Sequence, residues 1–184
     1  MHLAAKAGEK FTWEELRDTN VEGTRNVFEA ATSAGVPRVV FASSGATVAG
    51  YERDEPYRAL VTDGPLPDSW PLITIDTPVR PAGIYGSSKV WGEALARHYA
   101  DTTATRFLCL RIGYVNEQDR AENPRQRSVW CSQRDVVDAL TRATCQPVDL
   151  RFATFFAGSA NRRNYRDLTA GRDLLGFVPQ DGAD

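Results

Sequence analysis

Apolar residues are gathered into short dense runs, and longer amphipathic stretches separate them. Arg38 to Ala42 (RVVFA) and Arg106 to Ile112 (RFLCLRI) are β-branched, aromatic or aliphatic almost throughout, the pattern of strands buried on both faces. Leu150 to Ala157 is a third run, and Met1 to Ala5 a very short one at the start. Between them, Leu16, Val21, Thr24, Val27, Phe28 and Ala31 predict a helix from about Trp13 to Ala34 with these residues roughly on one side. Thr12-Trp13-Glu14-Glu15 has the form of a capping box that would start it, and Gly35 with Pro37 would end it. A second helix is expected over Ile84 to Tyr99, turning Val90, Ala94 and Leu95 toward a core, and a third from Gln133 to about Thr144 behind a Ser132 cap. Leu168 to Leu175 predicts a short last helix, closed by Gly176 and Pro179. Strands alternating with helices predict an α/β fold with a doubly wound parallel sheet and right-handed crossovers. The strands are expected near 1–5, 38–43, 106–112 and 150–157.

Two stretches stand outside this alternation. Residues 45–83 carry Pro56, Pro65, Pro67, Pro71, Pro78 and Pro81, which argue against a regular element for most of it. An irregular stretch of that length inside a compact domain is usually functional or else disordered. Residues 114–131 read as a second polar loop.

Composition narrows the function classes. The 184 residues suit one domain or a piece of a larger one. With 22 basic against 24 acidic side chains and a net charge of −2, nothing suggests nucleic acid as a partner. No apolar run approaches the ~18 residues of a membrane span, and the first residues do not read as a signal peptide. Cys109, Cys131 and Cys145 are an odd set without CxxC spacing, which fits a reducing cytoplasm better than a disulfide framework or a zinc site. His2 and His98 are the only histidines, so no metal is expected.

The candidate chemistry lies in two short segments. Tyr85-Gly86-Ser87-Ser88-Lys89 places a phenol and an amine four residues apart at the start of a predicted helix, on one face and one turn apart. An ammonium beside a phenol favours the phenolate, which can take a proton from a hydroxyl or return one to a carbonyl oxygen. Only Lys6, Lys10 and Lys89 are lysines in a chain whose basic residues are otherwise arginines, which makes a lysine at this spacing more telling. Ser43-Ser44-Gly45 follows directly on the RVVFA run. Ligands of open parallel sheets sit beyond the carboxyl ends of strands, where a hydroxyl can donate to a developing oxyanion.

Taken together, HLAA at 2–5, NVEGTRNVFEAA at 20–31, GVPRVVFASS at 35–44, YGSSK at 85–89 and LRIG at 110–113 resemble the extended short-chain dehydrogenase/reductases, the NAD-dependent epimerase/dehydratase group. Within that group, YGSSKVWGEALARHYAD (85–101), SVWCSQRDVVDAL (128–140) and GSANRRNYRDLTAGRDLLGFVPQD (158–181) are similar to segments of uronate dehydrogenases. The resemblance implies a single NAD(P)-binding Rossmann-like domain over 1–184, its C-terminal portion, with substrate-side loops at about 45–83 and 113–131. It implies NAD or NADP as cofactor, a small-molecule substrate such as a sugar acid, and no nucleic acid or membrane partner; it leaves a homo-oligomer open.

The resemblance also assigns roles. Tyr85 would be the general acid/base, Lys89 would lower its pKa and hold the nicotinamide ribose, and Ser44 would bond the reacting oxygen. Asn20 would support the cofactor side of the site, and Ile112 to Val115, with Ile112 and Tyr114 foremost, would lie near the nicotinamide. Arg125, five residues before Trp130, would take the sugar carboxylate. Where uronate dehydrogenases follow the Ser-Ser pair with Asn and His, this chain has Gly45 and Ala46, with Gly45 at a substrate-contact position, and Ala7 stands near a family serine. The glycine-rich dinucleotide fingerprint does not occur, and residue 1 falls where the family's fourth strand begins. The expectation is therefore an N-terminally incomplete fold lacking ~60 residues, which by itself holds NAD weakly. A nucleotide-sugar epimerase or dehydratase, and a non-catalytic remnant acting as an interaction module, are the alternative readings.

Overall fold

The computed structural model of the chain describes residues 1–147 and 149–183. Three parallel strands, β1 (Arg38–Ser44), β2 (Arg106–Ile112) and β3 (Phe152–Ala157), lie side by side in that order. The expected strand at 1–5 is reduced to a single parallel bridge, His2 beside Phe41, made by His2 N to Val40 O and Ala42 N to His2 O. The crossover helices are α1 (Trp13–Leu16), continuing through a π turn at Arg17–Glu22 into α2 (Gly23–Ser33), then α4 (Ile84–Thr102) and α6 (Gln133–Cys145); α7 (Thr169–Leu175) follows β3.

Both sheet faces are covered, which is why the strands are apolar at successive positions. Val39, Phe41, Phe107 and Cys109 meet Phe28, Ala96 and Ala100 of α2 and α4. Val40, Leu108, Leu110 and Phe155 meet Ala139 and Ala143 of α6, with Leu175 and Phe177. The helix α4 touches β1 closely because Gly92 lies on Phe41: a Cβ there would stand 2.6 Å from the ring. Its inner face is Gly92, Ala96 and Ala100, so Ala94, expected in the core, points outward.

The first helix begins at the expected capping box, Glu15 N to Thr12 Oγ1 at 3.3 Å and Thr12 N to Glu15 Oε2 at 3.0 Å. Its buried residues are Leu16, Asn20, Thr24 and Phe28, each four apart. A regular α-helix would rotate that spacing steadily off one face; the π turn takes up the extra residue and keeps them aligned. Val27 is consequently exposed rather than buried.

Strand β1 runs on through Ser43 and Ser44, which form its last two positions rather than the turn after it. The long stretch that follows folds into two 3₁₀ turns (Gly45–Thr47, Ala49–Arg53) and the short helix α3 (Tyr57–Leu60). It has its own small core, in which Val48, Leu60 and Ile73 pack with Val129, Phe156 and Tyr165. The segment read as polar loop contains α5 (Pro124–Val129), capped by Asn123 accepting from Gln126 N at 2.9 Å. Asn followed by Pro is a helix-start signal. No helix among the described residues is long and apolar enough to cross a membrane.

Candidate active site

The residues singled out in the sequence gather at the carboxyl ends of β1 and β2. Ser44 ends β1, Tyr85 opens α4, and Lys89 follows one turn later. The Ser44 hydroxyl stands near enough to the Tyr85 phenol to favour its ionised form, so the two face one space. Ser44 Oγ also accepts from Ala46 N at 3.1 Å, which fixes its rotamer.

Lys89 is buried, and its Nζ donates to Ala42 O at 2.7 Å. It lies 4.9 Å from the centre of the Phe41 ring and 5.9 Å from that of Tyr85. Burial lowers its pKa to about 8, because the charged form loses hydration in that apolar setting. The expectation that Lys89 draws the Tyr85 pKa down is not met in this state. Burial raises it, the nearby Ser44 hydroxyl opposes that, and Glu9 adds to the rise. The physical reason is that the Lys89 amine faces a backbone carbonyl and not the phenol. One acceptor leaves two of its three N–H donors unspent, which suits the adjacent hydroxyls of a ribose.

Asn20 is fully committed to bracing. Its Oδ1 accepts from Lys6 N at 2.9 Å, and its Nδ2 donates to Lys6 O at 3.0 Å and Ser88 Oγ at 3.2 Å. It thus ties the loop after His2 to the helix carrying Tyr85 and Lys89, and it has no amide proton left over for a cofactor. Ile112 is half-buried at the end of β2, and Tyr114 is anchored to α5 by Tyr114 N to Val129 O at 2.7 Å and Cys131 N to Tyr114 O at 2.9 Å.

Arg125, expected to take the sugar carboxylate, is paired within the chain. Its Nε and Nη2 donate to the two oxygens of Glu52 at 2.5 and 3.0 Å. The Tyr165 hydroxyl donates to Glu52 as well, at 2.6 Å. Next to this group lies a residue that the sequence did not reveal. Arg166 is buried, and its Nη2 reaches Gly45 O and Tyr165 Oη, both at 3.3 Å. A Cβ on Gly45 would run into the guanidinium. Arg166 is held there by the pairing of its segment with Ile73, through Ile73 N to Tyr165 O at 2.8 Å and Asp167 N to Ile73 O at 2.9 Å.

Below the site, α4 is clamped to the strands. Glu93, one turn beyond Lys89, accepts from Ser43 Oγ at 2.5 Å and from Arg111 Nε and Nη2 at 2.9 and 2.8 Å. All three residues are buried.

Comparison with known proteins agrees with this geometry. A profile of the NAD dependent epimerase/dehydratase family matches residues 1–116. The chain is 34% identical over 184 residues to a uronate dehydrogenase of Agrobacterium fabrum, covering all of this chain and 62% of that one. It is 30% identical over 196 residues to an L-arabinose 1-dehydrogenase (NAD(P)(+)) of Haloferax volcanii, covering all of this chain and 74% of the other. The crystal structure of a variant uronate dehydrogenase from Agrobacterium tumefaciens, complexed with NAD, superposes with a TM-score of 0.79 at 32% identity. That match covers 99% of this chain and 61% of the other. The chain thus spans about three fifths of the uronate dehydrogenases it resembles.

Proposed function

The chain belongs to the NAD-dependent epimerase/dehydratase family, and from that premise we propose that it carries the acid/base and substrate side of an NAD(P)-dependent dehydrogenase of a sugar or sugar acid. The observation that supports this reading is the proximity of Ser44 to Tyr85 across the ends of β1 and α4, with Lys89 buried one turn on and only one acceptor on its amine. The similar uronate and arabinose dehydrogenases support the substrate class, and the NAD-bound relative supports the cofactor. The three cysteines, all unpaired, favour the cytoplasm as its place of work.

NAD, when bound, supplies the hydride acceptor. The side chains manage the proton and the oxygen. Ser44 holds the reacting hydroxyl of the sugar, and Tyr85 removes its proton as the C–H bond is broken. Because burial keeps the phenol protonated at neutral pH in this state, Tyr85 needs positive charge brought to it. Lys89 supplies that charge while its two free N–H groups bind the ribose hydroxyls. Asn20 and Glu93 keep the helix and strand ends in register, as positioning residues.

The test is a rate assay of NAD reduction with uronic acids, neutral aldoses and nucleotide sugars. It is run on these residues and on any longer reading frame containing them. Turnover of a sugar or sugar acid that is lost in Tyr85→Phe supports the reading. Turnover of nucleotide sugars alone moves it to the epimerase or dehydratase chemistry. Full activity in Tyr85→Phe refutes the mechanism.

A further inference from the structure

Arg166 presents an unusual balance of charge. It is buried, yet among the described residues its guanidinium meets no carboxylate. Its Nε has no hydrogen-bond partner, Nη1 makes none, and both bonds from Nη2 are long. A buried cation without a counter-ion is costly, and buried charges are as a rule paired. The Trp130 indole nitrogen is also buried without a partner, and Trp130 and Arg166 line the same cavity of about 10 Å³ beyond the end of β3. That space has room for about one water and not for a carboxylate; what stays uncompensated beside it is the charge of Arg166.

The neighbouring acid is already engaged. Glu52 is gripped on both oxygens by Arg125 and receives the Tyr165 hydroxyl. Counting Glu52 against Arg125 and Arg166, the cluster keeps one positive charge in excess, and Arg166 carries it. That charge stands beside Gly45, the residue after Ser44, in the space that any side chain at position 45 would need.

Building on the dehydrogenase reading above, we infer that Arg166, rather than Arg125, is the residue that recognises the substrate, and that it does so by binding an anionic oxygen group on the sugar. A planar guanidinium with open N–H groups suits a carboxylate or a phosphate. Gly45 is part of the same device, because its missing side chain lets the guanidinium reach the catalytic end of β1.

Calorimetric titration of the full chain with glucuronate, glucose 6-phosphate and glucose tests this without turnover. At least one of the two charged sugars is expected to bind about tenfold or more tightly than glucose. Which of them does so separates carboxylate from phosphate. In Arg166→Gln the charged sugar falls to the affinity of glucose measured on the same variant, whereas Arg125→Gln keeps the preference. Equal binding of charged and neutral sugars by the unaltered chain, or a preference that survives Arg166→Gln, overturns the inference. If Arg166→Gln does not fold, Gly45→Ala asks the same question by displacing the guanidinium with its charge intact; an undiminished preference there also overturns it. Anion preference without NAD reduction by any sugar, in a longer reading frame as well as in this chain, would sink the dehydrogenase reading and leave this site standing. NAD reduction without anion preference would do the reverse.

Discussion

Three cations are buried near the carboxyl end of the sheet, and the fold treats them differently. Arg111, 4% exposed, is met by Glu93 through two hydrogen bonds. Lys89, 3% exposed, has a backbone carbonyl, and Arg166, 5% exposed, has long bonds to a carbonyl and a phenol. An arginine whose counter-ion comes from the fold itself fixes structure: Arg111 and Glu93 join β2 to α4. A cation left without its anion is poorly solvated by the protein alone and retains donors for a ligand. The contrast separates the part of the molecule that holds the site in place from the part that, on the proposed function, meets the reactants.

The largest expected effect lies at the Lys89 end. Tyr85→Phe should lower the rate of sugar oxidation by about 10²–10⁴, the usual worth of a positioned acid/base, with cofactor binding retained; rates and an NAD titration on the same protein check this. Unchanged rates would place Lys89 among the merely structural cations.

Next comes the paired cation. Glu93→Ala leaves Arg111 buried without a counter-charge and releases Ser43, which should cost about 3–5 kcal/mol of stability. Denaturant unfolding measures it. A loss under about 1 kcal/mol would show that water reaches Arg111 and that the clamp is not what joins helix and strand.

Lys89→Met should act oppositely on stability and on activity. With its pKa at about 8 in the folded chain against the ordinary 10.5, Lys89 binds fewer protons folded than unfolded between those values. Its charge therefore costs stability that is fully lost below pH 8 and recovered as pH rises from 8 to 10.5. The cost is at most about 3 kcal/mol, reduced by the bond to Ala42. The variant should be inactive yet more stable at pH 7, with the gap closing toward pH 10.5. Unfolding curves at pH 7 and 10 decide this, and a destabilised variant at pH 7 would contradict it.

The smallest effect is expected at the pair with one exposed partner, Arg125. Arg125→Gln should cost about 1–2 kcal/mol: Arg125 is 45% exposed, which weakens the pair, but Glu52 is only 11% exposed and keeps the Tyr165 hydroxyl as a donor. A larger loss in thermal unfolding would mean that Glu52 depends on Arg125 as Arg111 depends on Glu93.

Much of this site was legible before folding was considered, where the relation is local. Tyr85 and Lys89 share a helix face because four residues make about one turn, and Thr12 with Glu15 marks a helix start by the same short-range logic. Other features needed the chain to close on itself. The π turn at Arg17–Glu22 shows only through which residues it buries, whereas Asn123-Pro124 is a local helix signal that the surrounding polar residues obscure.

By itself the sequence determined the layered α/β plan, because continuous apolar runs have to be covered on both faces, and the Tyr85–Lys89 pair, because helical spacing is a property of neighbours. It did not determine where the charges end. Arg166 reaches Gly45 across 121 residues, Arg125 reaches Glu52 across 73, and Ser43 reaches Glu93 across 50. No period connects such positions. The resemblance alone would give Arg125 the carboxylate, yet the loop that folds over the strand ends delivers Glu52 to it and leaves Arg166 without an acid. Which cation is neutralised and which stays open depends on how loops far apart in the chain pack together, and only the tertiary structure decides that.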